Sequence, residues 1–398
     1  MTATFSGFFG RDEYERRWRA LDTAMEAQGL DILIVWGRSG GTYDRSGDIY
    51  YLSNYYGNNS GQGLDNPYTH CRAFSALIVR RGEEPELLVD DSWPRRDLIA
   101  TGRIDFSTDP CALAASKLSG TRGRVGFAGT DFFPMKYWAE LSSALPGIEW
   151  VFCDDIVQNL RKIKSPRELD AMREAGRIGA AAEAALIEAL LTGASEAEAA
   201  ARGAAEAIRN GGAVHMIPCS SGELIEYFVS KPMPGYSTTP TRQGDLARAF
   251  VYGPMFEGYY ADPGRTVVVG RKATADQKRL IEASGGLCEE LVAALRPGLR
   301  VKDLAALGDR RLVEIGSGKD QAADKFPIYG HGVGLFFEKP YISTLMGEDD
   351  DVFLENMVVG IETFVAFEGV GSAGFEQNVI ITASGPEVTT TAPMYWFD

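Results

Sequence analysis

Three stretches in the second half of the 398-residue chain place metal-ligating side chains beside glycines and strand-like apolar runs. MFEGYYADPGRTVVVG, residues 255–270, carries Asp262; GHGVGLFFEKP, residues 330–340, carries His331 and Glu338; MVVGIETFVAFEGVGSAGFEQNVIIT, residues 357–382, carries Glu362 and Glu376. The imidazole of His331 with the carboxylates of Asp262, Glu362 and Glu376 suits a divalent manganese, iron, cobalt or zinc ion, and the lack of thiolates argues against a structural zinc site. Carboxylates beside buried strands are costly without a cation, so the four residues read as a binding site and not as chance matches. A cation there would make water a nucleophile near neutral pH, with Glu338 or Glu362 taking the proton.

The elements that must position these groups are legible in the flanking sequence. Tyr14, Trp18, Leu21 and Met25 recur at helical intervals and Gly29 stops the run, followed by a strand-like Leu30 to Trp36. Strands and helices alternate to Trp150, which predicts an α/β N-terminal domain over 1–158. A second domain, 159–398, opens on a long helix: Ser165 is its N-cap, Pro166 its first residue, and Glu168 closes a capping box. Ser195 with Glu198 and Thr274 with Gln277 repeat the device. Strand-like runs at 246–251, 265–269, 358–365 and 378–382 make this second domain α+β. Arg265 is expected to pair with a local carboxylate and hold its strand.

Composition narrows the classes. Hydrophobic content of 45% and charged content of 24% are those of a water-soluble globular chain, and no apolar run approaches a membrane span. The N-terminus lacks a basic start followed by an apolar stretch, so the cytoplasm is the expected location. Five widely spaced cysteines form no CxxC pair and read as reduced. A net charge of −15 argues against a nucleic-acid partner.

The order Asp262, then HGVG at 331–334, then Ile361-Glu362, then Glu376 before an apolar strand resembles the pita-bread metallohydrolases, the superfamily of methionine aminopeptidase, prolidase and creatinase. LRKIKSPRELDAMREA resembles the opening of their catalytic domain, and DIYYLSNYYG an element of the prolidase and creatinase branch. The resemblance implies a pita-bread C-terminal domain behind a smaller α/β domain. Its peptidases hold two metal ions with two aspartates, one histidine and two glutamates. Here the first aspartate position is Val251, so the resemblance implies one complete ion site, with manganese the expected metal. The histidine expected seven residues after His331 is replaced by Glu338, and another, expected near Met233 and Pro234, is missing.

These departures lead us to expect a hydrolase of a C–N bond in a small, carboxylated, non-peptide molecule, since GPMFEGYY also resembles creatinase. His215, Tyr227, Lys231 and Arg72 are the candidate substrate-binding residues. The alternatives are an Xaa-Pro aminopeptidase or dipeptidase, a metal-free creatinase-like amidinohydrolase, and a non-catalytic binding module. The branch resemblance implies a homodimer or higher homo-oligomer.

Overall fold

The computed structural model describes residues 5–39, 45–57, 73–231, 235–318, 328–348 and 350–397, which form two compact units, Met1–Arg161 and Lys162–Asp398. Arg72, one of the expected substrate contacts, lies outside the described residues, as do His70, Met233 and Pro234.

In the first unit, α1 (Arg11–Ala27) buries Tyr14, Trp18, Leu21 and Met25, and Gly29 leaves it with φ +64°, a left-handed conformation that a side chain would strain. The strand after it, β1 (Ile32–Arg38), is central in the sheet. It runs antiparallel to β2 (Phe74–Arg80) and parallel to β5 (Gly123–Ala128). Beyond β2 lie β3 (Glu86–Val89) and β4 (Ile104–Phe106), and beyond β5 lies β6 (Ile148–Phe152). Buried charge here is paired: Arg17, 1% exposed, donates to Glu13 at 3.1 Å.

The second unit opens on α6 (Pro166–Leu191), whose Ser165–Glu168 capping box forms in both directions. Thr274 and Gln277 do the same for α8 (Ala275–Ala294). At α7 (Glu196–Arg209) the Ser195 hydroxyl accepts from the Glu198 N–H, but the Glu198 carboxylate takes Arg202 at 2.9 Å, one turn onward, in place of the return bond. The main sheet is antiparallel. From one edge its order is β13 (Phe337–Tyr341), β12 (Gly330–Val333), β14 (Val358–Phe367), β15 (Gly371–Thr382), β11 (Gly264–Val268), β8 (Leu246–Phe250) and β7 (Cys219–Ser221). A hairpin, β9 (Gly253–Phe256) and β10 (Tyr259–Ala261), connects β8 to β11.

Alternation along the two longest strands divides their work. Val359, Ile361 and Val365 of β14 and Ala373, Phe375 and Val379 of β15 join the apolar core with Leu280, Leu287 and Leu291 of α8. The intervening residues, Glu362 and Glu376 among them, therefore face the other side, and the ladder sets these two directly opposite one another.

Candidate metal centre

Asp262 follows β10 directly, and its backbone N–H donates to Asn378 Oδ1 at 2.7 Å, which fixes the loop to β15. His331 sits on β12, two strands from Glu376. Its Nδ1–H donates to the Gly332 carbonyl at 3.0 Å, so Nε2 carries the lone pair. That Nε2 lies 3.6 Å from Asp262 Oδ2 and 3.9 Å from Glu376 Oε1. One ligand atom from each of Asp262, His331 and Glu376 lies within 4.8 Å of the other two, a spacing that one ion would span.

The electrostatics of the group are those of a site that expects positive charge. Burial pushes the Asp262 carboxyl up to about 7 and, with the Asp262 charge adding to it, Glu362 up to about 8. Glu376 is driven well above the carboxylate range by burial and then by the charges of Asp262 and Glu362. Burial lowers His331 to about 4, which leaves the ring neutral and able to ligate at neutral pH. Glu376 Oε1 is buried with no hydrogen-bond partner. A Cβ on Gly360 would stand 2.6 Å from that oxygen, so a side chain there would push the Glu376 carboxylate aside. An orphaned carboxylate oxygen, two further acids and a neutral imidazole fit a divalent cation.

These groups form one end of a cavity of about 240 Å³. Glu362 lines it with them, although it stands outside the tight group of three. The remaining lining is apolar or aromatic: Met216, Pro218, Phe228, Phe250, Tyr252, Ile328, Phe337, Tyr341 and Met346. Phe337 packs on the His331 ring with centroids 4.0 Å apart and stacks against Tyr252 at 4.8 Å.

Glu338 is not brought to the cavity. Neighbouring residues of a strand point to opposite faces, and with Phe337 facing His331 the Glu338 side chain turns away. It is buried, accepting from Lys164 Nζ at 2.8 Å and from the Leu335 N–H at 3.2 Å. Lys339, the next residue, pairs with Glu348 at 2.7 Å. His215 lies behind the lining, its ring 5.1 Å from that of Tyr252. Tyr227 is 41% exposed and Lys231 is exposed, and neither lines the cavity. Among the described residues Arg265 meets no carboxylate in hydrogen-bond range; its guanidinium donates to the carbonyls of Gly264, Glu376, Ala392 and Pro393. Val251 is fully buried, and its N–H donates to the Pro263 carbonyl at 2.9 Å.

Comparison with known proteins places the chain in a family. Residues 170–383 match metallopeptidase family M24 and residues 17–163 match the creatinase/prolidase N-terminal domain. The chain belongs to the M24 family, and its fold is the pita-bread fold of the prolidase and creatinase branch behind a creatinase-type N-terminal domain. A probable dipeptidase, PepE, of Mycobacterium tuberculosis is 30% identical over 290 residues, 72% of each chain. The crystal structure of dipeptidase PepE from Mycobacterium ulcerans superposes with a TM-score of 0.74 at 26% identity, covering 98% of both chains. The prolidase from Pyrococcus horikoshii superposes with a TM-score of 0.74 at 20% identity over 95% of this chain and 99% of that one.

These similarities define a metal-dependent hydrolase and correct one expectation. The non-peptide C–N substrate inferred from the vacant histidine positions and Val251 is overturned by relatives that are named dipeptidases and prolidases. Loss of those side chains does not by itself mean loss of peptide chemistry, and the relatives point to the peptidase alternative.

Proposed function

We propose that this protein is a metal-dependent peptidase that hydrolyses the amide bond of short peptides, with dipeptides of the Xaa-Pro type the first substrates to test. The observation that supports it is the convergence of Asp262, His331 and Glu376 within 4.8 Å at the end of an apolar cavity, one carboxylate oxygen being left without a partner. A divalent cation held by these three and adjoined by Glu362 would supply Lewis acidity and neutralise the buried acids. With Val251 at the position of a further aspartate, the proposed stoichiometry is one ion per chain, manganese being the expected metal.

Within this scheme His331 offers Nε2 because its other nitrogen is committed to Gly332. Glu362 receives the proton of the attacking water: it lines the cavity, stands opposite Glu376, and is a carboxylate once a cation offsets the neighbouring charge. The aromatic wall of Phe228, Phe250, Tyr252 and Phe337 excludes bulk water and receives an uncharged side chain. A homodimer is the proposed assembly.

The test is elemental analysis of the purified protein, followed by assays of Xaa-Pro and other dipeptides before and after chelation and manganese return. One ion per chain and chelator-sensitive turnover are expected. Full turnover by metal-stripped protein, or none with any dipeptide after loading, would remove the reading.

A further inference from the structure

Amide hydrolysis builds negative charge on the carbonyl oxygen, and that charge must meet hydrogen-bond donors held in place beforehand. The donors this cavity offers are few. Of its lining residues, Asp262, Glu362 and Glu376 are acceptors when ionised, His331 has its Nδ1–H committed, and Met216, Pro218, Phe228, Phe250, Ile328, Phe337 and Met346 have no side-chain donor. Among the described residues lining it, the side-chain donors left are the hydroxyls of Tyr252 and Tyr341.

The two tyrosines differ in how they are held. Tyr252 is part of the aromatic stack, lying on Phe337 at an interplanar angle of 24°. Tyr341 ends β13 directly opposite His331 in the β12–β13 ladder. Directly opposite residues of an antiparallel pair share a face, so Tyr341 projects with His331, and Phe337, paired with Val333, projects to the same side and also lines the cavity. The Tyr341 hydroxyl makes no hydrogen bond to any described residue, so a phenol donor remains uncommitted on the strand that pairs with the imidazole-bearing strand.

We propose that Tyr341 is a catalytic residue of the hydrolysis above, the donor that holds the carbonyl oxygen as it becomes an oxyanion. The proposal rests on the peptidase reading. Water oxygen bonds to the carbonyl carbon, its proton passes to Glu362, and the C=O π pair moves onto the oxygen that the Tyr341 O–H binds. On collapse that pair re-forms C=O, the C–N bond breaks, and the proton from Glu362 goes to the leaving nitrogen. Nothing is oxidised or reduced.

The experiment compares the manganese-loaded wild type with Tyr341→Phe and Tyr252→Phe, using Xaa-Pro dipeptides for turnover and a phosphinic pseudodipeptide, a stable tetrahedral anion, for calorimetric binding. Tyr341→Phe is expected to lower kcat about 10²- to 10³-fold, as loss of one oxyanion donor does. KM should stay within about threefold, because the contact is made in the transition state and not in the ground state. The phosphinate should bind at least about tenfold more weakly, since it mimics that state. Metal content and melting temperature should be unchanged, the lost hydroxyl having no partner among the described residues. A kcat within about threefold of wild type, unaltered phosphinate binding, or a larger loss in Tyr252→Phe would each overturn the assignment. A wild type that turns over no dipeptide yet binds phosphinate in a Tyr341-dependent way would refute the peptidase reading and keep the donor. Failure of the wild type in both assays would end both.

Discussion

Two groups of buried acids in the second unit are treated in opposite ways. Glu338, at the β12–β13 hairpin, is met by Lys164 at 2.8 Å and by a backbone N–H. Across the paired strands, Glu376 and Glu362 face each other with Asp262 nearby and no lysine or arginine among the cavity-lining residues, and one Glu376 oxygen has no partner. The difference separates an acid the fold has neutralised for itself from acids awaiting a cation. A buried carboxylate with its own lysine is a brace; a cluster with none marks where positive charge must come from outside.

The comparison is broken most directly at Glu376. Glu376→Gln should reduce turnover on the order of 10⁴-fold, the several kcal/mol that a Lewis acid is worth, with metal content falling in elemental analysis. In chelator-treated protein the same change should raise the melting temperature, because it removes an unpaired buried acid. Glu338→Ala should behave in the reverse manner. It strands a buried ammonium and is expected to cost about 3–5 kcal/mol in denaturant unfolding, whether or not metal is present. If chelated Glu376→Gln melted as low as Glu338→Ala, the distinction between the two regions would be lost.

A gentler test uses pH. In the metal-free protein the Asp262 and Glu362 carboxyls sit at about 7 and about 8, above their unfolded values of about 4. The folded state therefore holds more protons, and the stability this gives is complete below the unfolded pKa and lost as pH rises through 7 and then 8. His331, lowered to about 4, acts in the opposite sense as pH falls from about 6.5 towards 4. Between pH 6.5 and 9 the melting temperature of chelated protein should fall relative to the manganese-loaded form, and a constant gap would contradict the cluster's role. The smallest effect is expected at a helix cap remote from either acid group. Thr274→Ala, which removes half of the α8 capping box, should cost about 1 kcal/mol without changing kcat.

Much of this arrangement could be read from the chain. The capping boxes at Ser165 and Thr274 and the apolar spacing of α1 are local features, set by residues within a turn or two of one another, and they appear as the sequence pattern predicts. Glu362 and Glu376 were legible because each sits out of phase with core residues on a long strand. Glu338 and Phe337 were not. A spacing of seven residues from His331 does not report which face of β13 a side chain takes, and the ladder shifts register between His331 and Gly332, where one slip exchanges the two faces. The cavity wall was hidden for another reason. Phe228, Phe250, Ile328 and Met346 come from separate segments, and only tertiary folding puts them on one surface. Arg265 misled because a buried guanidinium suggests a carboxylate partner, while here carbonyls from three segments serve it.

Two of those carbonyls, of Ala392 and Pro393, lie 127 and 128 residues downstream of Arg265. At a ribosomal pace of 5–20 residues per second, the guanidinium waits about 6–25 s after its own synthesis before these acceptors exist. Until then the strand beside Asp262 lacks its final fastening. The strand that leads away from Asp262 is thus fastened only once a segment more than a hundred residues downstream has been made.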